Sequence, residues 1–272
     1  MSGIGPVTSS IASLVKLSAT GVPSEGWLYY GTGRYFFRDD DVTNQRTLFG
    51  VMEPCVTGPG FDYNCTTSRA FCSVPVDSPG PSGSTTGPLK CGDLYNATVG
   101  VQLAYNALSS IGATGWYISL ESPTNSNAPA GGISTTNRTP TAERVITDPV
   151  AVQNGAVFFT TFAPNSDICN FGGNTFLWRL KYNTGSYIPL TGTALLQLST
   201  GEIKELNMAT AFTDKVAKID SSDDSSKVGT LEGGGTGGRR TGAMTGVPPV
   251  GQGLALVISP TPVDKILQIQ KK

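Results

Sequence analysis

Three consecutive aspartates, Asp39, Asp40 and Asp41, with Asn44 just beyond, form the densest run of hard oxygen ligands in the chain. Calcium takes about six to eight such oxygens, usually from a turn. The spacing departs from the D-x-[DN]-x-[DN]-G pattern, and adjacent carboxylates on an extended chain point apart. A solvated acidic turn is therefore the competing reading. Asp220, Asp223 and Asp224 make a sparser acidic run inside a Ser-rich stretch.

The thiols are the second chemical set. Cys55, Cys65, Cys72 and Cys91 crowd one Gly/Pro/Ser-rich stretch without a C-x-x-C pair, and Cys169 stands apart. With no histidine in the chain, a zinc site is a poor reading of these cysteines. Two disulfides stapling a surface insertion suit them better, with the pairing open, and they imply an oxidising compartment. Cys169 then serves as a small buried hydrophobe, or bonds one of the four or a partner chain. The missing histidine also excludes Ser-His-Asp and Cys-His catalysis and the usual haem ligand. Gly31-Thr32-Gly33 lacks the Lys-Ser/Thr of a phosphate loop and joins strands, so its glycines serve a tight turn or a close approach of chains. Asn64, Asn96 and Asn137 fit the glycan acceptor pattern at a frequency expected of an Asn/Thr-rich chain.

The elements that must position these residues are strands. The 272 residues include 34 Gly and 18 Pro, only 14% are charged and 38% are apolar. That composition suits short strands with many turns. The net charge of -1 offers no basic field for nucleic acid. Arg239-Arg240 and Lys271-Lys272 are the basic pairs, and both read as solvated charge. No stretch approaches the ~20 apolar residues of a membrane span. The start, Met1-Ser-Gly-Ile-Gly-Pro, lacks the pattern of a signal peptide, so an export signal is expected outside this chain.

Along the chain, an aromatic strand leads into Gly-Thr-Gly across residues 26–37, and another strand covers 47–52. The segment 55–92 is a cysteine-bearing insertion, 93–113 leans to strand over helix, and 115–121 is a strand. A meander runs from Glu143 to about Leu198, with Asn154-Gly155 as a tight hairpin turn. It continues through 201–206. Residues 218–249 read as a flexible Gly/Ser/Thr-rich loop, and 254–258 with 265–270 as a final hairpin. The aromatic set Trp27, Tyr29, Tyr30, Tyr35, Phe36 and Phe37 reads as core between sheets. The pattern predicts one all-β domain over 1–272, with antiparallel four-stranded meanders of the propeller kind.

Two stretches resemble a known family. Gly26-Trp27-Leu-Tyr-Tyr-Gly31-Thr-Gly33-Arg34-Tyr35 with Thr47-Leu-Phe-Gly is similar to a segment of the PilY-type proteins of type IV pili. So, in order, are Gly115-Trp-Tyr, Glu143-Arg144-Val145, Pro149, Gly155-x-Val-Phe-Phe-Thr-Thr, Cys169, Gly172-Gly173-Asn-Thr-Phe-Leu-Trp-Arg-Leu and Thr184-Gly185. Ala142 and Ser119 depart from the family's usual Gly and Asp. The resemblance covers about half of the chain. It implies the later blades of a C-terminal β-propeller, exported to the cell surface and engaged in pilus assembly, tip function and adhesion, without enzymatic activity. Implied partners are pilins or other pilus components, the missing blades on the same or another chain, and a host or surface receptor. Some members bind calcium in an Asp/Asn-rich loop, for which Asp39–Asn44 is the nearest counterpart. No organic cofactor is implied. The competing readings are a quinone-cofactor propeller enzyme and a subunit of an extracellular filament.

Overall fold

A computed structural model describes residues 5–21, 23–37, 40, 43–53, 94–97, 115–120, 122, 141–165, 172–212, 239–241 and 244–258. The described residues form thirteen strands and no helix. The five cysteines, Asp39, Asp41 and the 265–270 segment lie outside them.

Three sheets lie face to face. The first has the order β1 (Ala12–Leu17), β2 (Pro23–Gly31), β3 (Thr47–Met52), β5 (Gly115–Ser119) and β4 (Leu94–Asn96). Its neighbours are antiparallel except β4 and β5, which run parallel. The middle sheet has the order β12 (Met244–Gly246), β9 (Gly173–Lys181), β8 (Ala156–Pro164) and β6 (Arg144–Val145), with β7 (Val150–Val152) also on β8. The third has β11 (Ile203–Asn207), β10 (Gly192–Leu198) and β13 (Pro249–Ile258).

The middle sheet is covered on both faces, and its sequence says why. Ala-Val-Phe-Phe-Thr-Thr-Phe in β8 is nearly unbroken apolar and β-branched, the pattern of a strand with no wet side. Alternation then divides it. Val157 and Phe159, with Trp178 and Leu180 of β9, pack against Trp27, Tyr29, Leu48, Trp116 and Ile118 of the first sheet. Ala156, Phe158 and Leu177 face the other way, onto Ala194, Met208 and Phe212. This two-residue period is the geometry of a strand working between two layers.

Several expectations change. The meander does not pass from β9 into β10. β10 leaves the middle sheet and pairs β11 and β13, because its alternating apolar face completes the second core. The Asn154-Gly155 hairpin is real, but its loop has three residues, 153–155, between the paired Val152 and Ala156. Leu254–Ile258 pairs β10. Within 93–113, residues 94–96 are a strand, and 98–113 lie outside the described residues.

The loop expected over 218–249 ends in structure. Arg240 forms a bridge to Trp178, β12 pairs β9, and β13 begins at Pro249. Arg239 and Arg240 are not solvated charge: they are 5% and 4% exposed. Sequence-local reasoning sees their glycine-rich flanks and misses the buried acceptors waiting for them. Phe36 and Phe37, expected in the core, are 67% and 69% exposed. Trp27 and Tyr29 are buried as expected.

Gly31-Thr32-Gly33 makes no tight turn. It is a close crossing, where β6 lies across the end of β2. The Val145 N–H donates to Thr32 O at 3.1 Å. A Cβ on Gly31 would stand 2.2 Å from Val145 Cγ2 and 2.6 Å from Val145 Cβ. A β-branched side chain cannot swing away from such a contact. Gly31→Ala is therefore expected to cost about 2 kcal/mol by overpacking. Adding Val145→Ala should recover part of that loss, so that the pair is less than additive in a urea-denaturation double-mutant cycle. Strict additivity would show that the crossing is not where the strain arises.

Candidate functional site

The residues that carry chemistry fall into three places: a buried junction, an aromatic turn and a stapled surface loop. In the junction, Glu143 is wholly buried, and every donor it needs is supplied by another element. Its Oε1 accepts from Trp178 Nε1 at 2.8 Å and from the Thr161 hydroxyl. Its Oε2 accepts from Arg240 Nη1 at 2.6 Å. The Arg240 guanidinium lies over the rings of Phe176 (4.4 Å) and Trp178 (5.5 Å). An isolated carboxylate here would carry a desolvation penalty of several kcal/mol, which the paired cation and hydrogen bonds offset.

Arg144, also wholly buried, works differently. Its Nε and Nη2 donate to Ala142 O, and its Nη1 donates to Arg34 O at 3.0 Å. Its guanidinium sits 5.8 Å from the Tyr35 ring centre. It thereby clamps the chain just after Gly33. Arg239 donates through Nη1 to Ala97 O at 2.6 Å and Gly185 O at 3.1 Å. Arg179, on the other face of the middle sheet, donates to Met208 O at 2.6 Å and Leu190 O at 3.2 Å, over the Phe212 ring at 4.1 Å. Burial lowers its pKa, and the nearby Tyr187 opposes that shift. These guanidiniums are held by backbone carbonyls and rings, so none offers an open basic patch.

The Asn183-Thr184-Gly185 turn seats the first sheet on the middle one. Trp116 Nε1 and the Tyr29 hydroxyl both donate to Tyr182 O, at 2.9 and 3.1 Å. The Trp116 ring lies so near Gly185 that a Cβ there would be 2.8 Å from it. Burial also pushes the Tyr29 hydroxyl pKa well above its ordinary value, which keeps it a donor.

The exposed chemistry is in the loop that follows the Gly-Thr-Gly crossing. Of the residues read as calcium ligands, Asp40 is 5% exposed and Asn44 is exposed. Asp40 turns inward on its own loop. Its Oδ2 accepts the Phe36 and Phe37 N–H groups at 2.7 and 3.0 Å, and its Oδ1 accepts from Arg34 Nε at 2.6 Å. Consecutive amides around a carboxylate form an anion nest, here filled from within. Burial alone would raise the Asp40 pKa. The Phe37 and Phe36 amides and the Arg34 guanidinium outweigh it and hold the carboxyl below the usual aspartate range. The result is a stapled turn with two phenylalanine side chains facing outward. No group of three His, Cys, Asp or Glu that could hold a metal occurs among the described residues. No described helix is long and apolar enough to cross a membrane.

Sequence reasoning missed the junction. Glu143 and Arg144 stand in a motif word whose chemistry lies in partners 97 and 110 residues away. The only local signal was the cost of placing two charges between Ala142 and Val145, which burial would demand be paired.

No protein-family model matches the chain. No curated protein matches it either. Among solved structures, the chain is similar to the crystal structure of the Pseudomonas aeruginosa PilY1 C-terminal domain, with a TM-score of 0.42 and 15% sequence identity. The match covers 95% of this chain and 45% of that one, so the chain spans less than half the length of that structure.

Two measurements check this geometry. Arg240→Ala leaves the Glu143 carboxylate buried without its cation, a loss of about 3–5 kcal/mol. That corresponds to a Tm drop on the order of 10 °C by calorimetry. Pairing it with Glu143→Gln should recover much of the drop. An Arg240→Ala protein as stable as wild type would contradict the buried pair. The second concerns Asp40, whose contribution is complete above the ordinary aspartate range because folding depresses its pKa. It is lost as the pH falls through the folded-state value. The stability gap between wild type and Asp40→Asn, about 1 kcal/mol after allowance for the half-exposed Arg34, should be open at neutral pH and close on acidification, read as a difference in Tm. A gap that widens in acid would reverse the assigned sign.

Proposed function

We propose that this chain is a non-enzymatic surface module of a type IV pilus system, formed from later blades of a β-propeller and acting in pilus assembly, tip function and adhesion. One observation carries the reading. The short words that resemble PilY-type proteins are paired halves of the same contacts. Gly31-Thr32-Gly33-Arg34-Tyr35 packs on Arg144-Val145, and Trp116 packs on Tyr182 and Gly185. Words scattered through a sequence are hard to match by chance when each needs another as its physical complement.

On this reading the stacked sheets are a platform and the loops meet the partner. The partners are pilins or other pilus components, together with further blades on the same or another chain. Export to the cell surface follows from the same reading, as does a disulfide-stapled insertion over Cys55, Cys65, Cys72 and Cys91. Phe36 and Phe37 are the described residues best suited to contact. They are large, apolar and exposed, on a turn that Asp40 already orders, so little conformational entropy is lost on docking. The calcium reading keeps the sequence run Asp39, Asp40, Asp41 and Asn44 as its oxygen donors.

The test uses the bacterium that encodes the protein. Deletion should reduce surface pili, and the tagged full-length protein should be recovered at the cell surface with pilins, assayed with and without calcium. Phe36→Ser with Phe37→Ser should keep Tm within about 1 °C of wild type, since exposed positions are usually neutral, and lower pilin recovery about tenfold. Retention of the protein in the cytoplasm with piliation unchanged would sink the proposal.

A further inference from the structure

Asn154-Gly155 is the one Asn-Gly step among the 272 residues, and Asn154 is exposed where β7 turns into β8. Such a step carries its own nucleophile and its own electrophile. The glycine nitrogen, once a solvent base has taken its proton, attacks Cγ of the asparagine. The bond from Cγ to the side-chain nitrogen breaks, ammonia leaves with a proton from solvent, and a five-membered succinimide closes. Water then adds to one of the two ring carbonyls and opens the ring. One direction gives aspartate. The other gives isoaspartate, in which the main chain runs through the side-chain carbons and is one carbon longer. No electrons are exchanged with an outside reagent. Glycine suits the step because no Cβ crowds its nitrogen.

The folded turn engages every participant. The Gly155 N–H donates to Val152 O at 2.9 Å, so the proton that must leave is already bonded. The Ala156 N–H donates to Asn154 Oδ1 at 3.2 Å, which ties down the group to be attacked. Gly155 closes the three-residue loop with a φ of +87°, and its carbonyl accepts the Tyr182 N–H at 2.9 Å. Bringing the nitrogen onto Cγ requires the first two bonds to be given up. The native hairpin is thus a closed state of this chemistry, and local opening is what releases it.

Behind the turn stands Tyr182. Its carbonyl accepts from Trp116 Nε1 and from the Tyr29 hydroxyl, and its ring meets the Trp27 ring edge-on at 5.9 Å. Tyr182 therefore holds the turn with its N–H and the first sheet with its carbonyl and ring. The fit is close: a Cβ on Gly155 would lie 3.2 Å from the Tyr182 ring. An aspartate at position 154 keeps the path of the main chain and an acceptor for the Ala156 N–H. An isoaspartate adds a carbon just before Gly155 and displaces the carbonyl that Tyr182 binds.

We infer that Asn154 is a self-modification site controlled by the β7–β8 turn: closed in the native hairpin, reactive when the hairpin opens, and in its isoaspartate form a change that loosens the first sheet through Tyr182. The inference is independent of the pilus reading.

The experiment follows the full-length protein at mildly alkaline pH, folded and in guanidinium chloride, by peptide mapping with fragmentation that separates aspartate from isoaspartate. Conversion at position 154 should be at least tenfold slower in the folded protein, the factor expected where the turn is open less than about a tenth of the time. Val152→Gly, which weakens the β7–β8 pairing beside the turn, should raise the folded-state rate at least threefold. Chains converted in denaturant are then refolded and compared with Asn154→Asp, which carries the new charge without the extra carbon. The isoaspartate form should melt about 3 °C or more below wild type, and its Trp116 indole N–H should exchange with solvent at least tenfold faster. Asn154→Asp should stay within about 1 °C of wild type, as exposed positions usually do. Equal conversion rates in folded and denatured chains would overturn the control by the turn. An isoaspartate form with wild-type Tm and unchanged Trp116 exchange would overturn the link through Tyr182.

Discussion

A carboxylate with no solvent exposure constrains the fold around Glu143. It lies between two sheets, where an unpaired charge is not tolerated, so its oxygens require donors from elsewhere in the chain. Those donors are Trp178 and Thr161 of the middle sheet and Arg240 of the returning segment. The pair thus ties together pieces far apart in sequence: the strand entry at 143–145, the β8–β9 hairpin and the strand after 239. Apolar packing alone would leave the register of that late segment loosely specified. A buried ion pair with two aromatic faces admits one seating.

The same logic runs through the other buried arginines. Arg144 and Arg239, and Arg179 through its Nη1, donate to carbonyls at strand ends and turns, where backbone acceptors lack ladder partners. A planar guanidinium serves several such acceptors at once and stacks on rings, which lysine does not do. Among the described residues these arginines therefore act inside the protein, as connectors between layers. This accounts for basic residues that make no surface patch, and it directs attention for recognition to exposed loops such as the one bearing Phe36 and Phe37.

Much of the fold was legible locally. The Thr47–Met52 strand, the Gly115–Ser119 strand and the β8–β9 pair were readable because β-branched and aromatic residues alternate or run between turn residues. Arg239, Arg240, Phe36 and Phe37 were read wrongly for a common reason. Burial of a side chain depends on what another part of the chain places beside it, and composition within a short window carries no information about that. Asp40 illustrates the intermediate case. An acidic turn was visible, but that its carboxylate would point back onto the Phe36 and Phe37 amides was a matter of loop geometry.

The sequence by itself determined that the chain forms sheets, that its middle strands have no wet face, and that histidine-based chemistry is absent. These properties follow from residue type and two-residue periodicity, which act along the chain. Only the tertiary structure decided that β10 departs for another sheet, that Gly31 and Val145 occupy one crossing, and that of two adjacent arginines one ends on a buried carboxylate and the other on the carbonyls of Ala97 and Gly185. Those outcomes rest on pair interactions between residues tens of positions apart. Such interactions come into being when the layers close and water is excluded from between them.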